Sequence, residues 1–148
     1  MNELQDLYRE VILDHNREPR NFGELADADR VVQGVNPLCG DKMTLYVKLV
    51  GDRVEDLRFK GTGCAISVAS SSLMTERVKG RSIALTLELF EKVHEMLTDS
   101  ENEPGEEMEK LAALAGVREF PSRVKCASLA WHALKAALTG SGGKVSTE

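Results

Sequence analysis

The chain has 148 residues, 42% of them apolar and 29% charged, with a formal net charge of −5 at neutral pH. That length is enough for one core without help from disulfides or a metal, and the apolar share excludes a wholly disordered polymer. The acidic balance argues against nucleic acid as the main partner. No apolar run reaches the ~18 residues of a membrane span, and the start MNELQDLYREVILDH lacks a signal-peptide core, so no membrane partner and a cytoplasmic location are expected.

Residues 3–15 are predicted as a helix, because Leu4, Leu7, Tyr8, Val11 and Ile12 recur on one face. The stretch Asn16 to Asn21, with Pro19, breaks it. A first short strand is expected from Arg30 to Gly34. A second runs from Thr44 to Val50, where Leu45, Val47 and Leu49 alternate. Gly51-Asp52 is a hairpin signal, and a third strand follows from Arg53 to Lys60. Val54 is out of phase with Leu57 and Phe59, so a bulge is expected there.

After Gly63 the period changes. Residues 65–79 read as a helix rich in small side chains, which lets it lie close to a neighbour, with Gly80 as its C-terminal cap. Residues 83–98 are a further helix. DSENEPGEE, at 99–107, reads as an exposed acidic loop, and residues 106–115 as a short helix ended by Gly116. The last helix should start at Pro121. Its apolar stripe is Val124, Ala127, Trp131, Leu134 and Leu138, with Cys126 on a second edge and Lys125, Ser128, His132 and Lys135 on a polar one. The expected domain is therefore 1–139, with GSGGKVSTE at 140–148 as a flexible tail. Strands first and helices after predict an α+β fold, with helices on one face of a small antiparallel sheet.

Three cysteines, Cys39, Cys64 and Cys126, argue against a disulfide framework in an intracellular chain. On counting alone, three buried inert thiols are as good a reading as a site. The local sequence adds to this. Cys39 lies in NPLCGD, a tight loop before a strand, and the C-x-D spacing can aim Cys39 and Asp41 the same way. Cys64 directly precedes a helix, whose N-terminal N–H groups favour a thiolate. Cys126 has Arg123 three residues before it and Lys125 adjacent, and these cations are expected to favour a thiolate too. Three sulfurs and one carboxylate suit tetrahedral zinc, and three sulfurs suit iron or an iron–sulfur cluster. The spacing is not that of a zinc knuckle, so any shared site must be built by the tertiary fold.

The blocks NPLCGD, GTGCAISVASSSLMTE and SRVKCASLAWHALKAAL, in that order, resemble the U-type iron–sulfur cluster assembly proteins (the IscU/NifU/SufU family) over nearly the whole chain. The resemblance implies a three-stranded antiparallel sheet with helices on one face. It implies that Cys39, Asp41, Cys64 and Cys126 converge at one exposed end, to hold Zn2+ or, alternatively, iron or a [2Fe–2S] cluster. It also implies a cysteine desulfurase as partner, and a downstream cluster carrier or apo-protein clients. Where the IscU-like branch has His before its last Cys, this chain has Lys125, and it carries an extra segment at roughly 99–118. Both features look like the SufU-like branch, which resembles a zinc-dependent sulfur acceptor. FPSRVK replaces the paired-proline stretch of the IscU-like chaperone-docking site.

Three functional expectations follow. In the first, a zinc-held thiolate accepts sulfur from a desulfurase persulfide. Cys39 is favoured as acceptor, because a Gly-flanked loop moves more easily than a helix, and Arg123 is assigned a supporting role. In the second, the same four residues carry a transferable [2Fe–2S] cluster. The third is a purely structural zinc. His15, His94 and His132 are expected at the surface or helix ends and not as ligands, and Trp131 in the core. Ser70, Ser71 and Ser72 lack a His-Asp pattern and read as packing.

Overall fold

In a computed structural model of the chain, which describes residues 3–99, 104–140 and 143–146, the alternating stretches pair into one sheet. Strands Arg30–Asn36 (β1), Asp41–Val50 (β2) and Arg53–Thr62 (β3) form an antiparallel meander, with Val50 and Arg53 closing the Gly51-Asp52 turn. The expected bulge is present one residue later. Lys48 pairs with Asp56 and Leu49 with Val54, so Glu55 is the extra residue. That shift is what lets Val54, Leu57 and Phe59 all turn inward and be buried.

The expectation of a three-stranded antiparallel sheet is corrected on one point. A fourth strand, Gly143–Ser146 (β4), lies parallel to β1, and the order is β3-β2-β1-β4. The added strand comes from the stretch expected to be a flexible tail. Its Val145 is part-buried against the core, which gives the segment an apolar anchor. Residues 141–142 and 147–148 of that stretch, and 100–103 of the expected acidic loop, lie outside the described residues.

One sheet face is covered by helices. These are Glu3–Arg17 (α1), Ala65–Val78 (α2), Ile83–Thr98 (α3) and Pro121–Leu138 (α4). The inward strand residues Val32, Met43, Leu45, Val47, Leu57 and Phe59 meet Leu73, Met74, Leu129 and Leu134 there. Glu106–Glu119 differs from the short α-helix expected to stop at Gly116. It is a series of 3-10 turns broken at Glu109, whose φ is 49°. Arg77 of α2 donates to the Met108 carbonyl at 3.2 Å and fastens this segment. Among the described residues, no helix is long and apolar enough to cross a membrane.

The small residues of α2 do more than pack. Ser70 Oγ donates to the Ala127 carbonyl at 2.6 Å and accepts from Trp131 Nε1 at 3.2 Å, so it ties α2 to α4. Ser72 Oγ accepts from the Arg20 backbone N–H at 2.8 Å and meets His15 Nδ1 at 2.7 Å. His15 is therefore not the helix-end surface cation that was expected. It is 1% exposed, and burial, then the Arg20 charge, hold its pKa below the ordinary range, so it sits neutral between α1 and α2. His94 is exposed, whereas His132 is half-buried against Phe90 and His94.

Candidate metal centre

The site forms where the β1–β2 turn, the β3–α2 junction and the start of α4 meet. Strand alternation sets the first pair. Val32, Gly34 and Asn36 of β1 point to the helices, as do Asp41, Met43 and Leu45 of β2. Asn36 and Asp41 are register partners across the turn, and they are buried to 1% and 0% exposure. Cys39 lies in that turn, with an exposed side chain and a backbone N–H that donates to the Asn36 carbonyl at 3.2 Å. Gly40, at φ 71°, takes the left-handed conformation that returns the chain to β2.

Cys64 reaches the same corner from β3. Thr62 pairs with Lys42, and the next residues turn into α2, with Cys64 at the cap position. Its sulfur accepts from the Ser67 N–H at 3.4 Å, which is the helix-terminus donor expected for it. Its own N–H donates to Asp41 Oδ1 at 2.8 Å. Cys126 arrives from the second turn of α4 and is 1% exposed.

These elements place ligand atoms of Cys39, Asp41 and Cys126 within 4.8 Å of one another. Among the described residues this is the one such group of three or more Cys, His, Asp or Glu side chains. Cys64, the fourth residue expected here, is not in that group: its exposed side chain stands at the rim, close enough to the Cys126 thiol to act on its proton. The expectation that nearby cations favour a Cys126 thiolate is overturned among the side chains alone. Burial, first, and then Asp41, Cys64 and Cys39 push this thiol well above its ordinary range. A coordinated cation inverts that logic, because it favours the anionic form of every ligand around it.

The donor set fits zinc. Zinc bonds of about 2.3 Å to sulfur and about 2.0–2.2 Å to oxygen put tetrahedral ligands roughly 3.5–3.8 Å apart, so only a modest contraction of the group is needed. Arg123 is exposed, with its guanidinium 4.7 Å over the Phe120 ring. Lys125 is half-buried beside Cys126.

Sequence reasoning missed Asn36. Its Nδ2 donates to Asp41 Oδ2 at 3.1 Å and to Cys126 Sγ at 3.4 Å, while its Oδ1 is buried without a partner. The available signal was its place in NPLCGD, five residues before Asp41 across a turn.

Comparison with known proteins agrees with this geometry. The NifU-like N terminal domain family matches residues 7–146. Over 132 residues the chain is 46% identical to the zinc-dependent sulfurtransferase SufU of Bacillus subtilis, covering 89% of each chain. It is 44% identical over 138 residues to the iron–sulfur cluster assembly scaffold protein IscU of Streptococcus pyogenes, covering 93% of this chain and 86% of the relative. Among solved structures, the N-terminal part of a nitrogen-fixing NifU-like protein from Brucella abortus superposes with a TM-score of 0.82 at 25% identity, over 93% of this chain and 96% of that one.

Proposed function

This chain belongs to the NifU-like N-terminal domain family, and from that premise we propose that it serves iron–sulfur cluster assembly in the cytoplasm by accepting sulfur from a cysteine desulfurase at a zinc-binding site. The observation that carries the reading is the gathering of Cys39, Asp41 and Cys126 ligand atoms within 4.8 Å, from elements far apart in the chain. In this reading Cys64, whose backbone N–H donates to Asp41 Oδ1, turns its exposed thiol in from the rim as the fourth ligand. Cys39, Asp41, Cys64 and Cys126 would hold the zinc, which when bound would keep the thiols deprotonated and shielded until a partner docks.

The transfer itself is a thiol–persulfide exchange. The Cys39 thiolate attacks the outer sulfur of the desulfurase persulfide. A new S–S bond forms on Cys39 as the old S–S bond breaks, and the electron pair leaves with the desulfurase cysteine as its thiolate. The chain gains a persulfide, and no external oxidant or reductant is consumed. Cys39 suits this role because its side chain is exposed on a turn, whereas Cys126 is buried in a helix. Arg123, exposed on α4 three residues before Cys126, takes a supporting role by steadying a thiolate or the carboxylate with a charge-assisted hydrogen bond, for which its guanidinium leaves the Phe120 ring. The sulfur then passes to a downstream carrier or an apo-protein client.

A second reading is carried by Asp41. A hard oxygen donor among sulfurs holds a [2Fe–2S] cluster less firmly than a fourth thiolate would, and that favours release to clients. Metal analysis of protein purified without added metal, paired with a desulfurase assay and anaerobic reconstitution with iron and sulfide, separates the two. Tight zinc with desulfurase stimulation is expected. A stable, transferable cluster with no zinc would replace the first reading by the second.

A further inference from the structure

We infer that Asn36 is a positioning residue for this centre. It fixes Asp41 and Cys126 as the retained ligands while Cys39 is left as the one that departs. The inference rests on the metal-site reading above and adds to it a residue that carries no ligand atom.

Asn36 touches the Cys39 turn and both buried ligands. Its backbone carbonyl accepts from Cys39 N–H at 3.2 Å. The two N–H bonds of its amide go to Asp41 Oδ2 at 3.1 Å and to Cys126 Sγ at 3.4 Å. Through Asp41 Oδ1, which accepts from Cys64 N–H at 2.8 Å, the chain of contacts reaches Cys64 as well. The cost of this arrangement is visible on the other side of the amide. Oδ1 is buried and has no hydrogen-bond partner. A buried acceptor left alone is unfavourable, and structures retain few of them. Rotating the amide by half a turn would set Oδ1 against a carboxylate oxygen and a sulfur, with both anionic once a metal is held. The orphaned oxygen is therefore the consequence of pointing two donors at two ligand atoms.

Those donors act differently on the four ligands. A hydrogen bond to the charged form of a ligand favours that form and fixes its direction, and partners one shell out from a metal typically change its affinity by about 10–100-fold. Asp41 and Cys126 receive that support from the Asn36 side chain. Cys39 receives only the backbone contact from this residue, which sets the turn and leaves its thiol exposed. Release of Cys39 then leaves an ordered oxygen–sulfur pair behind.

The test uses the full chain and Asn36→Leu. Leucine is close in volume and carries no donor; it removes the orphaned acceptor but leaves the buried Asp41 Oδ2 without its Asn36 donor, so the apo-protein should melt somewhat lower than the parent whatever the role of Asn36. We expect folded N36L to bind zinc about 10–100-fold more weakly in chelator competition and to show altered d–d and thiolate charge-transfer bands with Co2+, readouts that a merely structural role would leave where they are. Zinc affinity and Co2+ bands equal to those of the parent would overturn the inference while leaving the metal site intact. A parent chain that binds neither ion would remove the site reading, and this inference with it. If N36L does not fold, Asn36→Ala decides on the same readouts.

Discussion

Gly63 lies against Asp41 so closely that a Cβ on it would stand 2.6 Å from Asp41 Oδ1. That oxygen is the one that accepts the Cys64 N–H, so the missing side chain at 63 is what lets the β3–α2 junction close over the carboxylate. Asp41 is fully buried and cannot swing away as a surface side chain would. Gly63→Ala should therefore displace Asp41 or open the junction. We expect a loss of about 1–3 kcal/mol in urea unfolding of the apo-protein, together with weaker zinc binding. An alanine variant with unchanged stability and affinity would show that the junction has room to spare.

Ser70 supplies the other fixed point of the site. Its hydroxyl bonds both the Ala127 carbonyl and Trp131 Nε1, and Ala127 follows Cys126 directly on α4. Ser70→Ala leaves the buried indole N–H without its partner. The expected cost is about 1–3 kcal/mol by denaturant titration. The loss should be largely removed in a Trp131→Phe background, because phenylalanine has no N–H to strand. Additive losses in the double variant would argue against this pairing.

His15 gives the fold an acid sensitivity remote from the thiols. Its folded pKa is depressed, by burial first and by the Arg20 charge second, with Glu76 opposing from 3.9 Å. The unfolded chain then binds a proton that the folded chain resists. Stability is full above the unfolded value of about 6.5 and falls as the pH drops through it, by at most about 1.4 kcal/mol per pH unit for this one group. Melting temperatures between pH 7.5 and 5.5 should fall more steeply for the parent than for His15→Gln. Parallel profiles would assign the acid sensitivity elsewhere.

The elements with a strong period were legible before any coordinates. Residues 83–98 of α3 and the β2–β3 hairpin lie where alternation and turn chemistry placed them, because their inward residues, such as Val93 and Leu45, have only one dry side to face. The fourth strand was not legible. Gly143–Ser146 has one apolar residue, Val145, and its order comes from pairing with the open edge of β1 and not from its own pattern. Nor was Asn36 legible as part of the site. The alternation in β1 fades at Gly34, and only the register with Asp41 reveals that the next inward position belongs to the metal corner. His15 was misplaced because a helix-end histidine normally faces solvent, and the Ser72 hydroxyl that receives it lies 57 residues away.

The division of labour among the cysteines gives the sharpest test of function. Cys39 is exposed on a glycine-flanked turn and Cys126 is buried, so truncating them has opposite structural consequences. Cys39→Ala removes a surface thiol and should leave apo stability within about 0.5 kcal/mol of the parent. It should still abolish stimulation of the desulfurase, since the attacking sulfur is gone. Cys126→Ala opens a small hole and leaves Asn36 Nδ2 short of one acceptor, so it should cost stability before any partner is added. Measured side by side, urea midpoints separate the two variants, while desulfurase turnover unites them if both sulfurs are needed. Full stimulation retained by Cys39→Ala would take the acceptor role from that residue and pass it to Cys64, the other exposed thiol of the site.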